Sequence, residues 1–253
     1  MRNSPFSEQT LGKFSNMNQS AINDLHNRDQ GVHDIIVNVL SDSHQNYDDL
    51  DEAISCINNS PADFLTHLGD FTNQGYNIEY DMFVSRMKNL NLPHIQIMGN
   101  HDTLAKGKAL FNRIFGYYNQ SFDYGGYRFI IFNNNKLDYY YHNGVDWNWL
   151  KQKVTSTTLP IVLMNHINTE NHDYFTAEDL QKYHAIVDGS NVRLVLHGHQ
   201  HEFYTQEING VLNHQTARTE GALWSRVTLS ANFITIENCT KNVCKFNLTK
   251  NFP

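Results

Sequence analysis

Five short polar motifs follow one another along the chain, each built from residues that hold metal ions through oxygen or nitrogen. They are Asp42-Ser43-His44, Gly69-Asp70, Gly99-Asn100-His101-Asp102, His166, and Gly198-His199-Gln200-His201. Asp42 and His44 stand two residues apart, so on an extended segment both side chains leave the backbone on one side and can reach the same ion. His199 and His201 share that spacing. With Asp70, Asn100 and His166 they make seven oxygen and nitrogen donors and no thiolate. Such a set can hold two divalent cations if one carboxylate bridges them. Two ions roughly 3.5–4 Å apart form a clamp suited to in-line attack on phosphorus.

Each motif follows an apolar run that reads as a buried strand: Ile35 to Leu40, Phe64 to Leu68, His94 to Met98, Leu159 to Met164 and Val192 to Leu196. The donors therefore sit at strand ends, where an α/β fold leaves its ligand crevice. Periodicity predicts helices over Asp48 to Ile57, Ile78 to Leu90, Thr103 to Phe115, Val145 to Val154 and Ala177 to Val187. The last third turns to glycine-punctuated strands: Phe203 to Ile208, Val211 to Thr216, Val227 to Leu229, Phe233 to Glu237 and Lys245 to Leu248. This order predicts a mixed β-sandwich with helices on its outer faces.

Composition agrees with an enzyme-sized domain. With 253 residues, 40% of them hydrophobic, the chain can bury a sizeable core. A net charge of −7 disfavours sequence-blind binding to nucleic acid, which draws its affinity from Lys and Arg. No run approaches the roughly 18 apolar residues of a transmembrane segment, and no apolar signal core follows Met1. The expected location is cytoplasmic or, if a leader or lipid anchor has been removed, the bacterial cell envelope. The polar start, Arg2 to Ser20, reads as a tether or a disordered end, so residues 1–33 are set apart as an extension from a domain over 34–253. Cys239 and Cys244 flank a short turn between strand-like runs, and a disulfide and two free thiols both fit there. Cys56, in a helical segment, reads as a core thiol.

The ordered set D-x-H, G-D, G-N-H-D, H and G-H-x-H resembles the calcineurin-like metallophosphoesterases, from about Ile35 to about Thr235. Segments between the motifs resemble the family too, notably Gly69 to Gly75, Ile131 to Asn135, Trp149-Leu150 and Pro160 to His166. The resemblance implies a four-layer αββα sandwich of two mixed β-sheets flanked by helices. It implies two divalent metal ions, Mn, Fe or Zn, one held by Asp42, His44 and His201 and the other by Asn100, His166 and His199, with Asp70 bridging. A water acidified by the metals would be the nucleophile, and His101 would stabilise and protonate the leaving oxygen. The partner implied is a small phosphate ester, nucleotides among them.

Departures from better-defined subfamilies narrow that expectation. Protein Ser/Thr phosphatases carry an Asp-Arg pair and a further Arg where this chain has Asn73, Gln74 and Met98, so the arginine clamp for a phosphate dianion is missing. Purple acid phosphatases place a tyrosine ligand where Asn73 stands. These absences lean towards small phosphodiesterase-like members such as the bacterial cyclic nucleotide phosphodiesterases, because a diester carries one charge. Asn73 also stands where some members place an Asp that orients the catalytic histidine. The alternative is a non-catalytic interaction module on the same fold, which lost ligands would mark.

Outside the ordered set the bland readings hold. An isolated Asp-x-His is usually an ordinary solvated pair, and a lone histidine after a strand is usually a hydrogen-bonded core residue. His67 and His197 abut the motifs among apolar neighbours and read as structural. Two aromatic loops could line a pocket or simply pack. One is Asn133 to Asn143 with Tyr139, Tyr140 and Tyr141, and the other is Asn168 to Phe175 with Tyr174 and Phe175.

Overall fold

The structure is a computed structural model, and it describes residues 4–10, 12–136 and 145–252. Two six-stranded sheets lie face to face. The first has the order β12-β11-β10-β1-β2-β3 and the second β4-β5-β6-β7-β9-β8. In the first sheet β1 (Ile35–Leu40), β2 (Phe64–His67) and β3 (His94–Gln96) run parallel. Antiparallel β10 (Leu223–Leu229), β11 (Phe233–Thr240) and β12 (Val243–Asn251) extend it. In the second, β5 (Tyr127–Ile131), β6 (Ile161–Met164), β7 (Val192–His197) and β9 (Val211–Gln215) are parallel. Antiparallel β4 (Gln120–Tyr124) and β8 (Tyr204–Ile208) form its edges.

The parallel strands are buried on both faces, which explains why they read as continuous apolar runs rather than as alternating ones. Val37, Val39, Phe64 and Ile95 of one sheet meet Phe129, Ile131, Val162 and Leu194 of the other in the central core. On the outer face of the first sheet, α2 (Tyr47–Asn58), α3 (Asn77–Met87) and α4 (Gly107–Ile114) bury Leu50, Phe83 and Phe111. On the second, α5 (Trp147–Thr155) and α6 (Ala177–Val187) bury Leu150 and Tyr183. The four-layer αββα arrangement expected from the sequence is the one observed.

Two elements depart from the sequence reading. Residues Met17–Arg28, read as part of a polar extension, form helix α1, which packs against β3 and β4. Its buried face is Asn18, Ala21, Ile22 and Leu25. Full burial of a side chain such as Ile22 or Leu25 contributes roughly 1.5–3 kcal/mol, enough to anchor an otherwise polar helix. The face was hidden because its first member is an asparagine. Asn18 donates to Gln96 O at 2.8 Å and accepts from Gln96 N at 2.9 Å, capping the exposed edge of β3. The second departure is the β4–β5 hairpin, whose Gly125-Gly126 turn has both residues at positive φ, the backbone a two-residue hairpin requires.

Cys239 and Cys244 face one another across β11 and β12 and are joined in a disulfide, while Cys56 is a buried free thiol. Among the described residues no helix is long and apolar enough to cross a membrane.

Candidate metal centre

All seven predicted donors lie at the carboxyl ends of parallel strands, in loops that meet where the two sheets face each other. Asp42 and His44 follow β1, Asp70 follows β2 and Asn100 follows β3; His166 follows β6, and His199 and His201 follow β7. Backbone pairing continues beyond the strands into these loops: Asp42 N donates to Gly69 O at 3.0 Å, His44 N to Asp70 O at 2.9 Å and Gly198 N to His166 O at 3.0 Å. The sheets are stitched together here as well, by His199 N to Asp42 Oδ2 at 2.9 Å and Asn135 Nδ2 to Met98 O at 2.7 Å.

Such close approach explains the glycines in the motifs. A Cβ on Gly99 would lie 2.2 Å from Asp70 N, and one on Gly198 would lie 1.9 Å from Ser41 Oγ. Five of the seven donors, Asp42, His44, Asp70, His199 and His201, also adopt positive φ, between 46° and 74°. That backbone costs an L-residue roughly 1–2 kcal/mol. It is retained because it turns the side chains back over the strand ends, as strained residues at functional sites do.

The side chains form two groups. Ligand atoms of Asp42, His44 and His201 lie within 4.8 Å of one another, and so do those of Asp70, His166 and His199. Asn100 joins the second group with Oδ1 3.0 Å from His166 Nε2. His166 Nδ1 donates to Leu68 O at 2.8 Å, which leaves the Nε2 lone pair facing Asp70 Oδ2 at 3.2 Å, Asn100 Oδ1 and His199 Nδ1 at 3.3 Å. In the other group Asp42 Oδ1 is buried with no hydrogen-bond partner, 3.4 Å from His201 Nε2. Converging acceptors and an orphaned carboxylate oxygen are what a cation completes, so the residues present fit a metal centre.

Electrostatics point the same way. Burial alone would lower His166, yet the charges of Asp70 and Asp42 and the bond to Leu68 O outweigh it and raise the imidazole to about 9. Burial would raise the Asp42 carboxyl, but His201, the His166 charge and Ser41 hold it below the usual carboxylate range. The cavity therefore attracts positive charge. His199 is pushed down to about 4 by burial and then by His166, which keeps its ring neutral, the form that binds a metal.

His101 belongs to neither group. Its backbone N–H donates to Asp70 Oδ1 at 2.8 Å, its Nδ1 to Asn73 O at 2.8 Å, and its ring lies edge-on to His44 with centroids 5.0 Å apart. The oxygen that orients the His101 ring is supplied by the main chain of Asn73, so the side chain at 73 is not the determinant.

Asp102, the last residue of the Gly99 to Asp102 motif, is fully buried. Its Oδ2 accepts from Asp70 N and Gly99 N, and its Oδ1 from Thr72 N and Oγ1. Burial and the Asp70 charge push its carboxyl up to about 7. Asn134 and Asn135, after the unread strand β5, brace the loops of His166 and Asn100 through Ile167 and Met98. The run Asn133-Asn134-Asn135 at a strand end was the available signal.

His67 is structural, as expected: Nε2 lies 3.0 Å from Ser43 Oγ, and burial pushes the ring down to about 3. His197 is equally buried. Of the aromatic loops, Phe175 is core, packed with Ile167 and Leu180, whereas Tyr174 lies edge-on to His199 with centroids 4.8 Å apart. Tyr139, Tyr140 and Tyr141 lie outside the described residues.

The chain and its fold are similar to those of known proteins. The chain is 24% identical over 158 residues to a 3′,5′-cyclic-nucleotide phosphodiesterase from Nostoc sp., an alignment covering 59% of this chain and 59% of that protein. The fold is similar to that of a purple acid phosphatase from yellow lupin (Lupinus luteus) seeds, with a TM-score of 0.69, 12% identity, and coverage of 87% of this chain and 54% of that one. It is also similar to a dimetal phosphatase from Danio rerio, with a TM-score of 0.64, 10% identity, and coverage of 84% and 98%. The chain thus spans little more than half the length of two of these proteins. A sequence profile of the calcineurin-like phosphoesterases matches residues 35–203, from the first residue of β1 to just beyond His201, and the chain belongs to that family.

Proposed function

We propose that this protein hydrolyses small phosphate esters, phosphodiesters before monoesters, at a centre holding two divalent cations. The observation that carries the reading is the pair of donor groups meeting across the two sheets with Asp70 acting on both. Its charge opposes the downward push of burial on His44 in one group and on His199 in the other, and it raises His166, as a carboxylate facing both groups would. Asp42, His44 and His201 would hold one ion, and Asn100, His166 and His199 the other. A set of carboxylates, an amide and imidazoles suits Mn, Fe or Zn. When bound, the cations supply Lewis acidity towards a phosphoryl oxygen and a water acidic enough to attack near neutral pH.

The chain's own residues supply the rest. His101 has Nδ1 committed to Asn73 O, which leaves Nε2 free for the leaving oxygen and lets the imidazolium donate a proton there. Asp42 and Asp70 balance the charge of the ions. Two features support the diester lean: the missing arginines at 74 and 98, and the likeness to the Nostoc phosphodiesterase. Residues 34–253 would form the catalytic domain, with α1 packed onto it.

The test is a screen of the purified protein, reconstituted with manganese, against cyclic and linear diesters and monoesters. The expected result is more than one equivalent of bound metal, chelator-sensitive hydrolysis and faster turnover of diesters. Less than one equivalent, with hydrolysis unaffected by chelator, would overturn the reading. Full metal occupancy without hydrolysis of any ester would favour the non-catalytic module, a role compatible with the similar fold of the anchor in the inner membrane complex of Plasmodium.

A further inference from the structure

Glu79 is the third residue of α3 and only 2% exposed, yet its four side-chain partners are all neutral amides. Oε1 accepts from Gln45 Nε2 at 2.5 Å and Asn73 N at 3.1 Å; Oε2 accepts from Gln74 N at 3.1 Å and Tyr76 N at 2.9 Å. The bond to Tyr76 is the usual reach of a third-position side chain back to its helix cap, for which a glutamine would serve. The other three bonds go further, into the loop between Asp70 and α3 and to the residue beside His44. Burying a carboxylate costs several kcal/mol unless its partners are well placed, so this charge is spent on that loop.

The loop bonds have a geometric consequence. A trans peptide is planar, with its N–H and C=O pointing in opposite directions, and no peptide among the described residues is cis. The peptide that gives its N–H to Glu79 Oε1 joins Thr72 to Asn73, and its carbonyl, Thr72 O, accepts from His44 Nδ1 at 3.2 Å. The next peptide gives the N–H of Gln74 to Oε2, and its carbonyl, Asn73 O, accepts from His101 Nδ1 at 2.8 Å. The two oxygens of one carboxylate thus hold two consecutive peptide planes, and each plane holds one histidine ring.

We infer that Glu79 is a positioning residue for His44 and His101, fixing tautomer and ring direction through these two carbonyls. A carbonyl on the far ring nitrogen selects which nitrogen is left for a metal or a substrate, and partners of this kind matter to activity although they touch neither. The inference rests on the phosphoesterase reading for its kinetic consequence, whereas its geometric consequence can be observed without turnover.

The experiment uses Glu79→Gln, which keeps shape and helix-cap reach but has one acceptor oxygen, so it can hold only one peptide plane. Glu79→Asp is the second variant; it keeps the charge and is one methylene too short to span the loop. For esters with poor alkoxide leaving groups, kcat should fall roughly 10–100-fold. The fall should be smaller for nitrophenolate esters, and in a His101→Ala background the added loss should be much less than in the wild type. Independently of turnover, side-chain ¹⁵N shifts of the zinc-loaded protein should show His101 as the Nδ1–H tautomer in the wild type and as a mixture in Glu79→Gln. Folded variants with an unchanged His101 tautomer and losses fully additive with His101→Ala would overturn the inference and reduce Glu79 to a helix cap. A wild type that hydrolyses nothing would overturn the functional reading alone, because the tautomer comparison still decides this one.

Discussion

The buried carboxylate of Asp102 accepts the backbone N–H of Asp70 at 2.8 Å, so a residue outside both donor groups fixes the backbone of one of the donors. The same oxygen takes Gly99 N at 2.9 Å, tying the loop of Asn100 to that of Asp70. Asp102→Asn would turn an amide NH2 towards donors on one side. Stability should fall by about 1–3 kcal/mol, the cost of unsatisfied buried donors, and metal affinity by about 10–100-fold. Thermal unfolding and a chelator competition titration check the two numbers.

Asp70→Ala should abolish hydrolysis and weaken both metal sites, because the substitution removes the charge that acts on both donor groups. Cys56→Ser, at a buried thiol outside the site, should leave the rate nearly intact. Metal content and kcat of both variants provide the check. Retention of most activity by Asp70→Ala would refute its bridging role.

His101→Ala should lower kcat by about 10²–10⁴-fold for poor alkoxide leaving groups, the range of a positioned acid. The loss should shrink with nitrophenolate esters, and metal content should not change, since His101 lies outside both donor groups. An equal loss for good and poor leaving groups would assign His101 to electrostatic stabilisation of the transferring group instead.

His214 offers a stability test away from the donor groups. It is fully buried between Thr205 Oγ1 and Ser225 Oγ, each 2.8 Å away, and burial pushes its ring down to about 3. Between that value and the ordinary histidine range near 6.5, the unfolded chain binds a proton that the folded protein does not. Its contribution is therefore complete above about pH 6.5 and is lost as the pH falls towards 3. Replacing His214 with Gln should flatten the acid limb of unfolding free energy against pH by about 1 kcal/mol per pH unit. Denaturant titrations at several pH values would show it; an unchanged slope would mean that the ring titrates normally.

Much of the site was legible because metal chemistry constrains residue type and short spacing, and both survive in one dimension. The donors at 42, 44, 70, 100, 166, 199 and 201 could be named from motifs at the ends of apolar runs, and these runs were readable because parallel strands are buried on both faces. Helix α1 was not legible, since the face it buries begins with Asn18, whose side-chain amide pairs with the backbone of Gln96, far along the chain. In the hairpin β4–β5 the one sequence signal is Gly125-Gly126 at the turn, because neither strand alternates or runs apolar along its whole length.

By itself, then, the sequence pointed to a mixed β-sandwich with helices on its outer faces and to seven candidate oxygen and nitrogen donors, because burial periodicity and ligand chemistry are local properties; the family resemblance implied the four-layer αββα class and the division of the donors between two ions. Only the tertiary structure decided which ring nitrogen His166 and His101 present, and that Asn73 orients His101 with its carbonyl rather than its side chain. It alone joined Cys239 to Cys244 and gave Asp102 and Glu79 their partners. These are matters of where a backbone N–H or C=O points in space. Every residue but proline carries both groups, so residue type cannot announce them.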